Sequence, residues 1–252
     1  KELNESNMQL ESANEQLKLQ EKMQKEFINV AAHELRTPVQ PILGLSQILR
    51  SKIGNPEQNE FLDVIIRNAK RLQRLTEDIL DVTRIESQLL KPNKERFNLN
   101  DAILSSVEDC RNQIEKAHGN IRLLFEPKDI IIEADKGRIV QVVSNLLNNA
   151  VKFTRDGTVC VKAEQNADQV IVSIKDTGQG IDPEILPRLF SKFATKSFSG
   201  TGLGLFISKS IIESHGGKIW AENNNIDGKR GATFYFSLPI VDHRFSVFQL
   251  SD

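Results

Sequence analysis

"FINVAAHELRTPVQPILGLSQIL", residues Phe27 to Leu49, decides how the first third of the chain is read. At about 100° per residue, Phe27, Ile28, Ala31, Leu35, Ile42, Leu45 and Leu49 gather into one apolar helical stripe. His33 falls roughly 190° from the middle of that stripe, so its imidazole points to water. Thr37, Gln40 and Gly44 continue the outward face at spacings of three and four, and the face is polar and, at Gly44, unobstructed. A histidine so placed is open to approach by a partner. Pro38 and Pro41 each remove a backbone donor and are expected to bend or loosen the helix beside it.

A heptad rhythm runs into this helix from upstream. Leu3, Leu10, Leu17 and Gln24 recur every seven residues, interleaved with Ser6, Ala13, Gln20 and Phe27, which reads as a coiled-coil signalling helix over residues 1–24. A seam continuous with a functional helix can transmit a rotation or a shift. Downstream, Gly54 and Pro56 in "GNPEQ" interrupt helical hydrogen bonding. A second helix is predicted after that break, with Phe61, Ile65, Asn68, Leu72, Leu75, Ile79 and Val82 at four-three spacing to about residue 90. Two long helices with a short connection form an antiparallel hairpin, here over residues 25–90. A lone hairpin leaves each stripe half covered, so a homodimer joined as a four-helix bundle is expected.

The 252 residues, 39% of them hydrophobic, suffice for two domains with a real core. Lys and Arg total 33 against 34 Asp and Glu, so no overall basic field points to nucleic acid or to an anionic membrane. Cys110 and Cys160 lack paired spacing, which argues against a secreted disulfide scaffold and a thiolate metal site. No apolar run approaches the roughly 20 residues of a membrane span. The sequence opens on Lys1 in helical pattern without methionine. The expectation is a cytoplasmic fragment whose upstream part carries a sensor domain or a membrane anchor.

"LKPNKER" reads as a linker, assigned to residues 91–96, after which the pattern turns to mixed elements over 97–240. Asn100 is the expected cap of a helix to about Ala117, "NIRLLFE" and "DIIIEA" read as strands, and Lys136 to Phe153 returns to helical period. Strands are predicted at "GTVCVKAEQ", "DQVIVSIKD", "GKIWAEN" and "GATFYFSLP", and helices near Pro183 to Leu189 and Leu203 to His215. The fold class is thus an α-helical hairpin forming a dimeric four-helix bundle, followed by an α/β sandwich domain. The tail over 241–252, "VDHRFSVFQLSD", keeps apolar residues beyond the last strand.

Helix Lys136 to Phe153 places Asn145, Asn149, Lys152 and Phe153 on one face. Amides are poor helix formers, so several on one face need a reason. They can bind oxygen-ligated magnesium and phosphate, while Lys152 supplies a point charge and Phe153 a flat surface for a base. "DTGQGI", Asp176 to Ile181, follows a β-branched strand. Gly178 and Gly180 permit close backbone approach, and the Asp176 carboxylate can accept from the exocyclic amino group of adenine. "GTGLGL" then opens a helix, so that the amides of Gly200, Thr201, Gly202, Leu203 and Gly204 can face phosphates. Two glycine-rich loops so placed, with the asparagine face upstream, point to a nucleotide.

The order "HELRTP", "NLLNNAVKFT", "DTGQGI", "LFSKFATKS", "GTGLGL" resembles the catalytic part of a sensor histidine kinase of two-component signalling, over residues 25 to 240. The resemblance implies a HisKA-type dimerisation and phosphoacceptor hairpin, then an ATP-binding sandwich of the type shared with gyrase and the mismatch-repair ATPases. It implies that His33 is the phosphoacceptor and Glu34 the base that orients its imidazole. Asn149 is implied as the leading magnesium ligand with Asn145 close by, Lys152 as a phosphate contact, and Phe153 and Asp176 as adenine contacts. Phe190 and Phe193 resemble the phenylalanines that hinge the lid, with Thr195 to Ser199 as the lid itself. Many relatives carry arginine or lysine at the position of Thr195, which makes Lys196 the candidate substitute for the γ-phosphate contact. "HGG" at His215 resembles a turn before a strand, a structural role. ATP and magnesium are the implied cofactors, and a response regulator receiver domain is the implied partner.

Thr37 lies one turn beyond His33, so its hydroxyl can reach the space beside the imidazole and aim a water at a docked phosphoaspartate. Kinases with "HE" followed by "RT" often dephosphorylate their receivers, so the resemblance implies a phosphatase activity as well. The rival reading is an ATP-hydrolysing switch of the gyrase type, with the hairpin serving only dimerisation. Those relatives use a glutamate four residues before the magnesium asparagine to activate water. Here that position is Asn145, and an amide cannot take a proton at neutral pH. A third reading is a non-catalytic scaffold that binds nucleotide, although none of the motifs is visibly destroyed.

Overall fold

A computed structural model of the chain describes residues 7, 10, 11, 15, 28, 35, 37, 39–87, 91–116, 120–166, 168–194, 201–226 and 229–240. It divides into two compact units, Lys1–Leu89 and Leu90–Asp252. The seam expected over residues 1–24 falls almost wholly outside the described residues, as do His33, Glu34, Pro38 and the tail beyond 240.

In the first unit, helix α1 is continuous over residues 39–52 and runs through Pro41 without a break. Helix α2 spans Pro56–Glu86. It therefore begins inside the "GNPEQ" stretch rather than after it. Asn55 Oδ1 accepts from the Glu57 N–H at 3.0 Å, and Pro56 occupies the first turn, where a missing N–H costs nothing. The Asn59 side chain donates to the Ile53 carbonyl at 3.1 Å, and Arg50 Nε lies 2.6 Å from Asp63, which secures the turn between the helices.

Apart from Asp81, the buried described positions of this hairpin fall at heptad spacing. Val39 and Ser46 are buried on α1, as are Leu62, Ala69, Thr76 and Thr83 on α2, each seven residues from the next. The buried line thus mixes Val39 and Leu62 with small or polar side chains. The bulky stripe lies elsewhere: Leu45 is 61% exposed and Phe61 62%, and Leu35, Ile42, Leu49, Ile65, Leu72 and Leu75 are exposed with them. Exposed apolar side chains in such number on two helices are the kind of surface that interaction sites use.

The second unit holds a five-stranded sheet of β2 (Asn120–Phe125), β4 (Asp156–Gln165), β5 (Gln169–Asp176), β7 (Lys229–Pro239) and β6 (Lys218–Ile226), in that spatial order. β2 and β4 are parallel and the other pairs antiparallel. Helices α3 (Leu99–Lys116), α4 (Lys136–Phe153) and α5 (Gly204–Ser214) bury Ile103, Val107, Val142, Leu146, Ile207 and Ile211. Alternate strand residues do the same: Val159 and Val161 on β4, Val170, Val172 and Ile174 on β5, Phe234 and Phe236 on β7. This is the expected α/β sandwich.

Three expectations need correction. Two residues of the linker, Glu95 and Arg96, belong to a strand β1 (Glu95–Asn98), which pairs antiparallel with β3 (Ile131–Ala134). "DIIIEA" therefore lies in a separate two-stranded ladder, not in the main sheet. The cap of α3 is Asn98 rather than Asn100: its Oδ1 accepts from the Asn100 N–H at 3.0 Å, and its amide donates to Asp129. Over Pro183 to Leu189 there is only a 3-10 turn, Leu186–Arg188. Pro187 lacks the N–H an α-turn needs there, and Asp182 Oδ1 accepts from the Glu184 N–H, holding a local turn instead.

Candidate functional site

α4 is capped by Asp135, whose side chain accepts from the Arg138 N–H at 3.1 Å. Its apolar face, Ile139, Val142, Val143, Leu146, Leu147 and Ala150, is buried, which turns Asn145, Asn149, Lys152 and Phe153 toward the rim. Asn145 Nδ2 donates to Ser208 Oγ of α5 at 2.9 Å. A Cβ at Gly204 would lie 2.5 Å from Asn145 Oδ1, so the last glycine of "GTGLGL" is demanded by a side chain of α4. Asn149, half-buried one turn on, makes no side-chain hydrogen bond to a described residue. Lys152 Nζ sits 5.3 Å from the Phe153 ring centroid.

Strand alternation explains Asp176. The period that buries Val170, Val172 and Ile174 on β5 buries the carboxylate that ends the strand, leaving it 3% exposed. Its Oδ1 accepts from the N–H groups of Gly178 at 2.8 Å and Ala232 at 3.2 Å, and Oδ2 has no partner among the described residues. Burial pushes the carboxyl pKa up, and the two backbone donors oppose the rise. A carboxylate anchored through one oxygen keeps the other for a ligand donor.

The loop after Asp176 is seated on the end of α4. A Cβ at Gly178 would overlap the Phe153 carbonyl oxygen, and the Gln179 N–H donates to that same oxygen at 3.3 Å. Gly180 follows beside Asn223. The Ile181 N–H donates to Asn223 Oδ1 at 2.6 Å, and the Ile181 carbonyl accepts from Asn223 Nδ2 at 2.9 Å. Asn224 Nδ2 donates to the Asp176 carbonyl at 3.4 Å while its Oδ1 accepts from the Thr233 hydroxyl at 2.7 Å.

Phe193 is 70% exposed and holds a φ of 60°, and a Cβ at Gly202 would lie 2.7 Å from its Cα. The Phe193 segment and the "GTGLGL" loop thus meet backbone to backbone, with Phe190 half-buried nearby in sequence. Thr201 Oγ1 accepts from the N–H of buried Leu203, which precedes α5. Thr195, Lys196 and Gly200 lie outside the described residues. Thr37 is helical and exposed in the first unit. The second unit therefore brings Asn145 to Gly204 and Phe193 to Gly202 on one side, and Phe153 to the loop of Asp176, Gly178, Gly180 and Ile181 on the other, with α4 common to both sets.

His215 has the structural place expected of it. Its Nε2 accepts from the Asp135 N–H at 3.0 Å and its Nδ1–H donates to the Ile211 carbonyl at 2.8 Å, so the neutral ring ties the end of α5 to the start of α4. Burial pushes its pKa down. Ser208, Asn223 and Asn224 belong to none of the motifs that mark the site in the sequence. The run "NNN" over 223–225 was the available signal, because asparagine is depleted in strands and three in succession ask for a reason.

The family described as histidine kinase-, DNA gyrase B- and HSP90-like ATPase matches residues 134–242, and the His Kinase A (phospho-acceptor) domain matches residues 23–88. Sensor protein SrrB of Staphylococcus aureus is 35% identical over 229 residues, covering 87% of this chain and 38% of SrrB. The chain thus spans about two fifths of the length of that curated relative, 38%. Full-length ShkA in complex with AMPPNP matches 86% of this chain and 46% of its own at 26% identity, with a TM-score of 0.69. The catalytic domain of histidine kinase ThkA is 35% identical and is covered to 96%, over 59% of this chain, with a TM-score of 0.52. ThkA in complex with the response regulator protein TrrA matches 86% of this chain and 61% of its own at 31% identity, with a TM-score of 0.58.

Proposed function

The chain belongs to the sensor histidine kinases, and on that premise we propose that it is an ATP-dependent histidine autokinase that phosphorylates His33 and passes the phosphoryl group to a response regulator aspartate. The observation that carries the nucleotide half is Asp176, a buried carboxylate anchored through Oδ1 with Oδ2 left to accept from an adenine amino group.

A ring nitrogen of neutral His33 attacks the γ-phosphorus in line. The N–P bond forms as the bond from that phosphorus to the bridging oxygen breaks, and ADP leaves with the oxygen. Glu34 accepts the proton of the other ring nitrogen, which keeps the attacking nitrogen unprotonated. Magnesium bound with the triphosphate supplies charge neutralisation. The chain's own residues fit such an ion: the half-buried Asn149 amide makes no side-chain hydrogen bond to a described residue, and magnesium needs only one or two protein oxygens beside phosphates and water. The Asn149 amide, without a described partner, is the oxygen proposed, with Lys152 on the phosphates. Asn145 engages Ser208 and is no base, so direct hydrolysis by a gyrase-like route is disfavoured.

The exposed stripes of α1 and α2 support a homodimer through the hairpin, and the two free cysteines suit the reducing cytoplasm where ATP is found. No helix among the described residues is long and apolar enough to cross a membrane. An upstream sensor domain completes the proposed protein, and Thr37 is proposed to aim water at the phosphoaspartate of the receiver. Incubation with γ-labelled ATP is expected to give an acid-labile protein label that His33→Ala loses. Free phosphate without protein label would favour the hydrolytic switch. Thr37→Ala is expected to keep autophosphorylation and lose receiver dephosphorylation, and retained phosphatase activity in a folded sample would remove Thr37 from that role.

A further inference from the structure

The loop Asp176–Ile181 contains two glycines, and a glycine-rich loop left to itself samples many conformations. Its geometry is set from outside, by two successive side chains of β6. Asn223 faces Ile181 with both halves of its amide, accepting from the N–H at 2.6 Å and donating to the carbonyl at 2.9 Å. A primary amide carries the same N–H and C=O pair as a peptide, so Asn223 acts as one added rung of a β-ladder on a strand that, among the described residues, pairs only with β7. Asn224, pointing to the other side of the strand, donates to the Asp176 carbonyl at 3.4 Å and is itself oriented by the Thr233 hydroxyl at 2.7 Å. One amide holds the exit of the loop and the other its entry. Between them stands the carboxylate whose Oδ1 is anchored to Ala232 of β7.

We infer that Asn223 and Asn224 are positioning residues that hold the Asp176–Ile181 loop at both ends and thereby set adenine affinity and selectivity over guanine. The inference rests on the reading of this unit as an adenine nucleotide site. Asp176 can distinguish the bases because adenine offers an amino donor where guanine offers a carbonyl acceptor, and a carboxylate facing that carbonyl is repelled. That discrimination depends on the carboxylate being held in place, since a loop free to retreat relieves the mismatch.

The test uses the full chain, with magnesium ADP and magnesium GDP titrated by calorimetry into wild type, Asn223→Ala and Asn224→Ala, and thermal unfolding measured on the same samples. Asn223→Ala is expected to weaken ADP binding by about fivefold to tenfold, the loss of one or two positioning hydrogen bonds. GDP binding should change much less, so the ADP-to-GDP preference narrows, while the unfolding temperature stays within about 2 °C. Asn224→Ala should act in the same direction. Unchanged ADP affinity in both variants overturns the inference, and so does an equal loss for ADP and GDP that tracks a loss of stability. A wild-type chain that binds neither nucleotide would sink the adenine reading itself, an outcome separate from variants that match a binding wild type.

Discussion

Asp176→Asn separates what the carboxylate does for a nucleotide from what it costs the fold. The substitution keeps an oxygen for the N–H groups of Gly178 and Ala232 and puts an amino group where Oδ2 stood. A hydrogen bond to a charged acceptor contributes about 1.5 to 3 kcal/mol, so its loss should weaken ADP binding by about 10-fold to 150-fold. Facing a second donor instead of an acceptor pushes the effect toward the upper end. Stability should move the other way or not at all. Burial raises the folded pKa of Asp176 above its unfolded value, so between those two values the folded state binds more protons. Stability therefore falls as pH rises through that window, and the full cost of the buried charge is present above it. At neutral pH the amide removes that cost, and the unfolding temperature should hold or rise. Calorimetry with ADP and thermal unfolding at neutral pH on one preparation check both halves. An affinity equal to wild type would remove Asp176 from the adenine contact. A fall of several degrees would refute the view that its charge is a cost to the fold.

Three further outcomes follow from other parts of the chain. Gly204→Ala should weaken nucleotide binding at least fivefold, estimated at about 1 kcal/mol, because its Cβ would press on Asn145 Oδ1 and displace the amide from Ser208; calorimetry with ADP that shows no change would mean that α5 shifts freely. His215 has its folded pKa below the usual value, so its contribution to stability is complete above the unfolded pKa of about 6.5 and is lost as pH falls from there toward the folded value. The fall in unfolding temperature between about pH 7.5 and about pH 5.5 should shrink in His215→Gln, and an unchanged fall would assign the pH dependence to other groups. A fragment ending near Leu90 should be dimeric by light scattering and one starting near Arg96 monomeric, since the exposed stripes lie in the first unit; the reverse result would overturn the bundle.

Where a segment's own periodicity carries its structure, the sequence alone determined the result. The limits of α4, Lys136–Phe153, are those its helical period predicts, because a strong helical repeat is a local property, as is the Asp135 cap that the structure shows before it. The burial of Asp176 follows from β5 in the same way, by a period of two. The motifs also pointed to the face of α4 and both glycine loops as one candidate site. Only the tertiary structure decided which side chains hold that site together. Asn223 and Asn224 are 42 and 48 residues from the backbone groups they bond, and Ser208 is 63 from Asn145. No local pattern encodes such pairings, since they depend on β6 and α5 arriving beside the loop and α4. The β1–β3 ladder is of the same kind: Glu95 and Arg96, the first two residues of "ERFN", look like the end of a linker until β3 supplies the partner for the strand's backbone hydrogen bonds. In the hairpin, the 3.6-residue repeat located an apolar stripe, but which line faces within the chain was settled by size. The buried heptad line is mostly small or polar, Ser46, Ala69, Thr76 and Thr83 with Val39 and Leu62, which lets helices approach closely, and the bulkier stripe is left exposed.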